Sequence, residues 1–195
     1  MEIIEEYNKR CIQKNLLKRQ LKDKKIQKKK KTERVEYLEK AQIVIQELAK
    51  NIQNTIEFKI SNLVTLALKT VNKDYPEFKA EFVSRRGQTE CDLLFVENGH
   101  EQKPIGSAGE GAIDIASIGL RIAMWTLNPN RACFILDEPF KNLSADMQEK
   151  AGEMLSLLSK KRGLQFIVVS HQEGVNIKAD KTFTVSKKKN ISVVT

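Results

Sequence analysis

From residue 2 to residue 72 the chain contains neither Pro nor Gly and is rich in Lys, Glu, Gln, Leu and Ile. That composition predicts one long helix, which would span roughly 100 Å at 1.5 Å per residue. From Val35 onward a seam recurs at alternating steps of three and four: Val35, Leu38, Gln42, Ile45, Ala49, Ile52 and Ile56. This heptad spacing predicts a coiled coil. Upstream, Ile12, Leu16, Leu17, Leu21 and Ile26 keep a poorer register. The run Lys28-Lys-Lys-Lys31 interrupts the seam and is expected to be a fraying point, a turn or a nucleic-acid contact.

Asn72-Lys-Asp-Tyr-Pro76 ends this regime, because Pro cannot continue a helix. The pattern divides the chain into a helical coiled-coil arm, 1–72, and a globular part, 73–195. In the latter, Phe78–Val83 alternates partly and Cys91–Val96 is apolar. Arg85-Arg-Gly87 lies between them, so an antiparallel hairpin is expected, with a second turn at Glu97-Asn-Gly99. A Gly-rich loop, Gly106-Ser-Ala-Gly-Glu-Gly111, then runs into an amphipathic stretch from Ala112 to Leu127. Ile115, Ile118, Ile122 and Trp125 form its core face, and Arg121 is expected to reach a phosphate or an acidic neighbour, a structural salt bridge being the preferred reading. Met147, Ala151, Met154, Leu155 and Leu158 form the apolar face of a later helix, for which Ser144 is the expected N-cap. Ala179–Val185 and Asn190–Val194 read as closing strands around a Lys187-Lys-Lys189 turn.

Two short apolar runs carry the candidate chemistry. Ala132-Cys-Phe-Ile-Leu leads into Asp137-Glu138, and Leu164-Gln-Phe-Ile-Val-Val leads into Ser170-His171. Both read as buried strands, and in open α/β sheets ligands gather at the carboxyl ends of the strands. Asp137 is placed to hold Mg²⁺, since a phosphate-bound Mg²⁺ needs only one or two protein carboxylates. Glu138 is placed to orient and deprotonate a water. The loop's small residues let backbone N–H groups approach a phosphate, and the helix that follows presents its N-terminus to an anion.

The order Gly-rich loop, helix, strand ending Asp-Glu, helix, strand ending Ser-His resembles the C-terminal half of an ABC-type ATPase head of the SMC/RecF/RecN group. Within that group the closest likeness is to the SbcC-type DNA-repair ATPase, phage versions included. The resemblance covers about residues 105–186 and the coil before them. It implies an α/β fold, the C-terminal lobe of an ABC-type, P-loop NTPase-like head with a long N-terminal coiled-coil helix. It further implies ATP and Mg²⁺ as ligands, Glu138 as general base, His171 as γ-phosphate sensor and Asp137 as the metal carboxylate. Ser107, Gly109 and Glu110 match the signature loop that closes on ATP across a head-to-head dimer. Alignment backwards from Ala116–Arg121 instead puts Gly109 and Gly111 in the Ser and Gly positions. Ser144 stands where the family's interface loop carries Asp, with Asp146 close by.

No Gly-x-x-x-x-Gly-Lys-Ser/Thr occurs in the sequence, so the loop that cradles the α and β phosphates is missing. The expectation is a natural split protein or a fragment, docking an N-terminal lobe that brings this loop. Its function would then be ATP hydrolysis coupled to DNA binding or to regulation of a nuclease subunit. The alternative is a non-catalytic coiled-coil DNA-binding or scaffolding protein with a relic head. A role in chromosome organisation fits the short arm less well.

Charge sharpens the picture at one end. The net charge is +9, and residues 1–34 alone carry 13 basic and 5 acidic side chains. Such an arm suits phosphate backbones through counterion release, and equally suits a solvated coil surface. Cys11, Cys91 and Cys133 are widely spaced and read as free thiols of a reducing compartment. No apolar run approaches the 18 residues of a membrane span, and no secretion signal is evident, so a cytoplasmic location without membrane partners is expected.

Overall fold

The computed structural model describes residues 2–176, 178–188 and 191–195, without the side chains of Glu2, Ser107, Glu173, Asn176 and Lys188. In order, the elements are α1 (Glu2–Val71), β1 (Glu77–Arg85), β2 (Gln88–Glu97), β3 (His100–Gln102), α2 (Pro104–Ser107), α3 (Glu110–Leu127), β4 (Cys133–Asp137), α4 (Ala145–Arg162), β5 (Gln165–Val169), α5 (Glu173–Asn176), β6 (Val185–Lys188) and β7 (Ile191–Val194). The fold is mixed α/β behind a long N-terminal helix, as the sequence pattern implies. The chain forms two compact units, Met1–Ile52 and Gln53–Thr195.

The first unit is helix alone. It stays unbroken through Lys28–Lys31, so the lysine run is not a turn. Large apolar side chains from Ile3 to Ile52, including Leu17, Leu21, Val35, Leu38 and Ile45, are exposed along it.

The second unit begins with the last turns of α1, whose Ile60, Val64, Ala67, Leu68 and Val71 are buried. They recur at helical spacing and meet α3 through Ile115, Ile118 and Ile122, in one core with Phe78, Phe95, Leu136, Phe140 and Met154. Gly119 makes the α1–α3 approach possible: a Cβ there would lie 3.2 Å from Val64 Cα and 3.3 Å from Ala67 Cβ.

A three-stranded antiparallel sheet, β1-β2-β3, packs beside this helix pair. Both its turns have two central residues at positive φ, Arg86-Gly87 and Asn98-Gly99, the backbone that follows the right-handed twist of a hairpin. The outer edge of β1 is closed by side chains of α1 rather than by another strand. Thr65 Oγ1 accepts from Phe78 N at 2.9 Å, Ser61 Oγ accepts from Ala80 N at 2.9 Å, and the Glu57 carboxylate accepts from Phe82 N. Residues four apart on a helix thus serve residues two apart on a strand, which satisfies amides that an edge would leave open.

The β4 and β5 strands pair in parallel, Cys133 with Gln165 through to Asp137 with Val169, with α4 as the crossover. Phe134 and Phe166 stack on the covered face, 5.6 Å between centroids. The opposite face is apolar and open: Ile135 is 72% exposed, Ile167 46% and Val169 56%. The first closing strand lies later than the sequence pattern implies: β6 begins at Val185, takes in Lys187 and Lys188 of the expected turn, and pairs antiparallel with β7. Lys189 of that turn and Asn190, the expected start of the second strand, lie outside the described residues.

Substituting Gly119→Val should cost about 1–3 kcal/mol of stability, because the added carbons meet the α1 backbone and not a movable side-chain tip. Chemical denaturation monitored by circular dichroism measures it.

Candidate functional site

The β4–β5 pairing determines where the carboxylates stand. The backbone N–H of Glu138 donates to Val169 O at 2.8 Å, extending the parallel ladder one rung past Asp137. At that point the chain turns sharply, since Glu138 has φ +44°. A glutamate rarely adopts the left-handed region, and such residues concentrate at functional sites. The turn brings its carboxylate over the end of β5. Oε1 accepts from His171 N at 3.1 Å and lies 2.7 Å from His171 Nδ1, while Oε2 accepts from Ser170 Oγ at 3.2 Å. These bonds, that from His171 foremost, hold the Glu138 carboxyl below its ordinary pKa. An ionised carboxylate offers about four lone-pair sites. Three are taken, which leaves room at Oε2 for one more donor such as a water. The His171 ring is otherwise open, with its side chain 77% exposed.

Asp137, the residue before this turn, is exposed at the strand end. Among the described residues no group of three His, Cys, Asp or Glu side chains is arranged around a metal position. A lone carboxylate there fits Mg²⁺ held mainly by phosphate and water, and does not fit a metal caged by protein alone.

The Gly-rich loop is brought to the other side of the same connection. Gly106 has φ +91° at the end of a single distorted turn, and Gly109 is the N-cap residue of α3. Gly109 and Glu110 are exposed, and nothing lies within 4 Å of a Cβ built on Gly109. Gly111 faces inward: a Cβ there would lie 3.1 Å from Tyr75 Oη and 3.3 Å from Asn142 O. The side chain of Ser107 lies outside the described residues.

The segment 139–143 links the two groups. Asn142 Nδ2 donates to Asp114 Oδ2 on α3 at 3.2 Å, and Gln172 Nε2 donates to Lys141 O at 3.4 Å. Burial pushes the Asp114 carboxyl above its ordinary range. Gln172 Oε1 is buried and without a partner among the described residues. Sequence reasoning gave no role to Ser170, Asn142, Asp114 or Gln172. Only Ser170, directly beside His171, carried a usable signal.

Two local expectations are corrected. Ser144 occupies the N-cap position of α4, but its hydroxyl donates to Asp146 Oδ1 at 2.6 Å and not to the helix amides. Arg121 is exposed and forms no ion pair among the described residues.

No protein-family model matches the chain, and no curated protein matches it. Solved structures do. An SMC ATPase from work on ATP-driven dimerisation and DNA-stimulated activation aligns with TM-score 0.57 and 17% identity, over 75% of this chain and 87% of that one. The Smc head domain of Pyrococcus yayanosii with its coiled coil and joint aligns with TM-score 0.63 and 16% identity, over 77% of this chain and 29% of that one. The Smc head of Pyrococcus furiosus with an extended coiled coil, bound to the C-terminal domain of ScpA, aligns with TM-score 0.56 and 17% identity, over 82% and 42%. The chain thus spans less than half of these two longer heads. At such identities the likeness shows the fold alone, that of SMC head domains. Among the described residues no helix is long and apolar enough to cross a membrane.

The Glu138 bonds have a pH signature. Its folded pKa lies below the ordinary 4.5, so the stability it adds is whole above that value and is lost as pH falls through the lower folded value. Melting temperature should therefore fall less between about pH 6 and about pH 3 in Glu138→Gln than in the parent chain. An identical fall in both would show the carboxylate to be unlinked to folding.

Proposed function

We propose that the chain is the C-terminal lobe of a DNA repair or recombination ATPase of the SMC and SbcC kind. ATP hydrolysis takes place at a site completed by an N-terminal lobe carrying the missing phosphate loop. The observation that carries this reading is the Glu138 carboxylate, turned over a parallel strand pair and held by Ser170 and His171. The arm, 1–72, and the head lobe, 73–195, are its two functional parts.

Asp137 holds Mg²⁺ at the strand end. When bound, the metal would offset the negative charge of the phosphates. Glu138 uses its remaining lone pair to orient the attacking water and receive its proton. His171 keeps Glu138 in place from one ring nitrogen and offers the other to the γ-phosphate. Gly109 and Glu110, at an exposed helix N-terminus, belong with Ser107 to the surface that closes on ATP of a second head, and Gly111 supports that surface by packing. Catalysis is then positioning and charge stabilisation.

The open face of β4 and β5 supports a second lobe, because parallel sheets are ordinarily covered on both sides. Ile135, Ile167 and Val169 form the apolar patch that such a lobe would bury. The SMC ATPase neighbour is described with ATP-driven dimerisation and DNA-stimulated activation, which supports a head-to-head dimer and DNA as partners here. Regulation of a nuclease subunit belongs to the same reading.

The test is ATP hydrolysis by the chain alone and with an SMC-type N-terminal lobe supplied as a separate chain. Turnover is expected only in the mixture. Glu138→Gln should lower it by about 10²-fold or more while the lobes still associate, and His171→Ala should lower it by a smaller factor. Turnover by the chain alone that Glu138→Gln abolishes would sink the half-site reading. A complex that forms without hydrolysing ATP would mark a relic head on a DNA-binding or scaffolding coil.

A further inference from the structure

The two long edges of the β1-β2-β3 sheet are finished differently. Along β1 the amides of Phe78, Ala80 and Phe82 point away from β2, into side chains of α1. Their cross-strand partners are Phe95, Leu93 and Cys91. In an antiparallel pair, opposed residues that do not bond each other both turn their N–H and C=O outward. Phe95, Leu93, Cys91 and, one step on, Thr89 opposite Ser84 therefore direct their backbone groups to the far side of β2. Phe95 is met there by Gln102 of β3. Among the described residues no strand pairs with Thr89, Cys91 or Leu93 on that side.

The gap has a cause. Carried on in register, β3 would set Pro104 opposite Leu93. Proline has no N–H to give, and the chain turns there into α2. The open edge also lacks the usual guards of an exposed strand, which are a bulge, a proline or an inward charge. The β1–β2 register runs without a bulge from Glu77–Val96 to Arg85–Gln88. The side chains of Thr89, Cys91 and Leu93 are uncharged. They share the face of buried Phe95 yet are exposed, Leu93 at 37%. Ile105, on the turn that lies against β2, is 87% exposed. Apolar surface thus borders the open backbone.

The other face of the sheet sets the charge of an occupant. It carries Glu77, Glu81, Glu90, Asp92 and Glu101, and its cations are shared: Lys79 between Glu81 and Glu101, Arg85 between Glu90 and Asp92. Lys103 adds one positive charge beside Asp92. Residues 77–103 hold six carboxylates and four cations, in a chain of net charge +9. A nucleic-acid backbone is repelled by this excess of carboxylates. A second copy fits poorly: two β2 strands meeting antiparallel about Cys91 would set Glu90 against Asp92 twice, and like charges directly opposite are destabilising.

We propose that β2 receives an added strand from another protein. An extended segment lies antiparallel along Gln88–Leu93, in line with β3. It places apolar side chains over Thr89, Cys91 and Leu93 and Lys or Arg beside Glu90 and Asp92. Backbone bonds supply the attachment and the alternation of side chains supplies the selectivity. The proposal stands apart from the nucleotide site and survives if that site proves inactive.

The test uses the full chain and synthetic peptides of about nine residues. Each carries Val at the three positions facing Thr89, Cys91 and Leu93, and Lys, Gln or Glu at the two facing Glu90 and Asp92. Fluorescence anisotropy should rank Lys above Gln above Glu, with about fivefold between Lys and Gln. Glu90→Gln with Asp92→Asn should level that ranking. N-methylation of the Val amides, which face β2, should abolish binding, and N-methylation of the Lys amides, which face solvent, should not. Amide hydrogen exchange should slow at Thr89, Cys91 and Leu93 on binding and stay unchanged at Phe78, Ala80 and Phe82. No saturable binding of the Lys peptide up to about 1 mM, equal loss on methylating either set of amides, or protection elsewhere than on β2 overturns the proposal. Protection of the same three amides in the chain alone as its concentration rises, with a dimer in sedimentation, would make a second copy the occupant and overturns it as well.

Discussion

The candidate site depends on one backbone hydrogen bond, Glu138 N–H to Val169 O. It extends the parallel pairing of β4 and β5 one residue beyond the last strand position, and so fixes where the chain turns. Parallel strands need a crossover, here α4, so residues more than thirty apart in sequence end side by side. Ser170 and His171 then have no choice of partner: they leave the neighbouring strand at the level where the Glu138 carboxylate arrives. A one-residue slip of β4 in this register would exchange the covered and open faces of that strand. It would also put Asp137 where Glu138 stands. The stacked Phe134 and Phe166 hold the register from below, so the core and the site are specified by the same alignment.

Much of this was legible from residue pattern. The helix without Pro or Gly, the hairpin with its two glycine turns, the apolar faces of α3 and α4 and the strands ending in Asp-Glu and Ser-His all follow from local rules. What escaped depends on competition between local and distant partners. Ser144 has the chemistry of a capping residue, but Asp146 lies within reach and takes its hydroxyl. Gly111 sits in a loop whose glycines suggest an anion, yet Tyr75 and Asn142, distant in sequence, crowd the place of its side chain. The left-handed turn at Glu138 gives no sequence signal, because glutamate has no preference for it. Three-residue β3 is too short to carry a period.

The segment 139–143 deserves equal weight with the two strand ends. Phe140 and Leu143 anchor it in the core. Between them the Lys141 backbone carbonyl accepts from Gln172 and the Asn142 side chain donates to Asp114. A short stretch pinned at both ends offers few alternative arrangements.

The ladder from α1 to β1 rests on a near match of two periods. Four helical residues advance about 6 Å and two strand residues about 6.8 Å, so the rungs drift by just under 1 Å at each step. Thr65 and Ser61 are short and serve the first two amides, while Glu57 is long and serves the third, where the accumulated offset is greatest. Such a vernier tolerates three rungs and little more. It also ties the exchange of the Phe78, Ala80 and Phe82 amides with solvent to the integrity of the helix. These amides should open together, as one cooperative unit with residues 57–65, and not one by one as on an ordinary sheet edge.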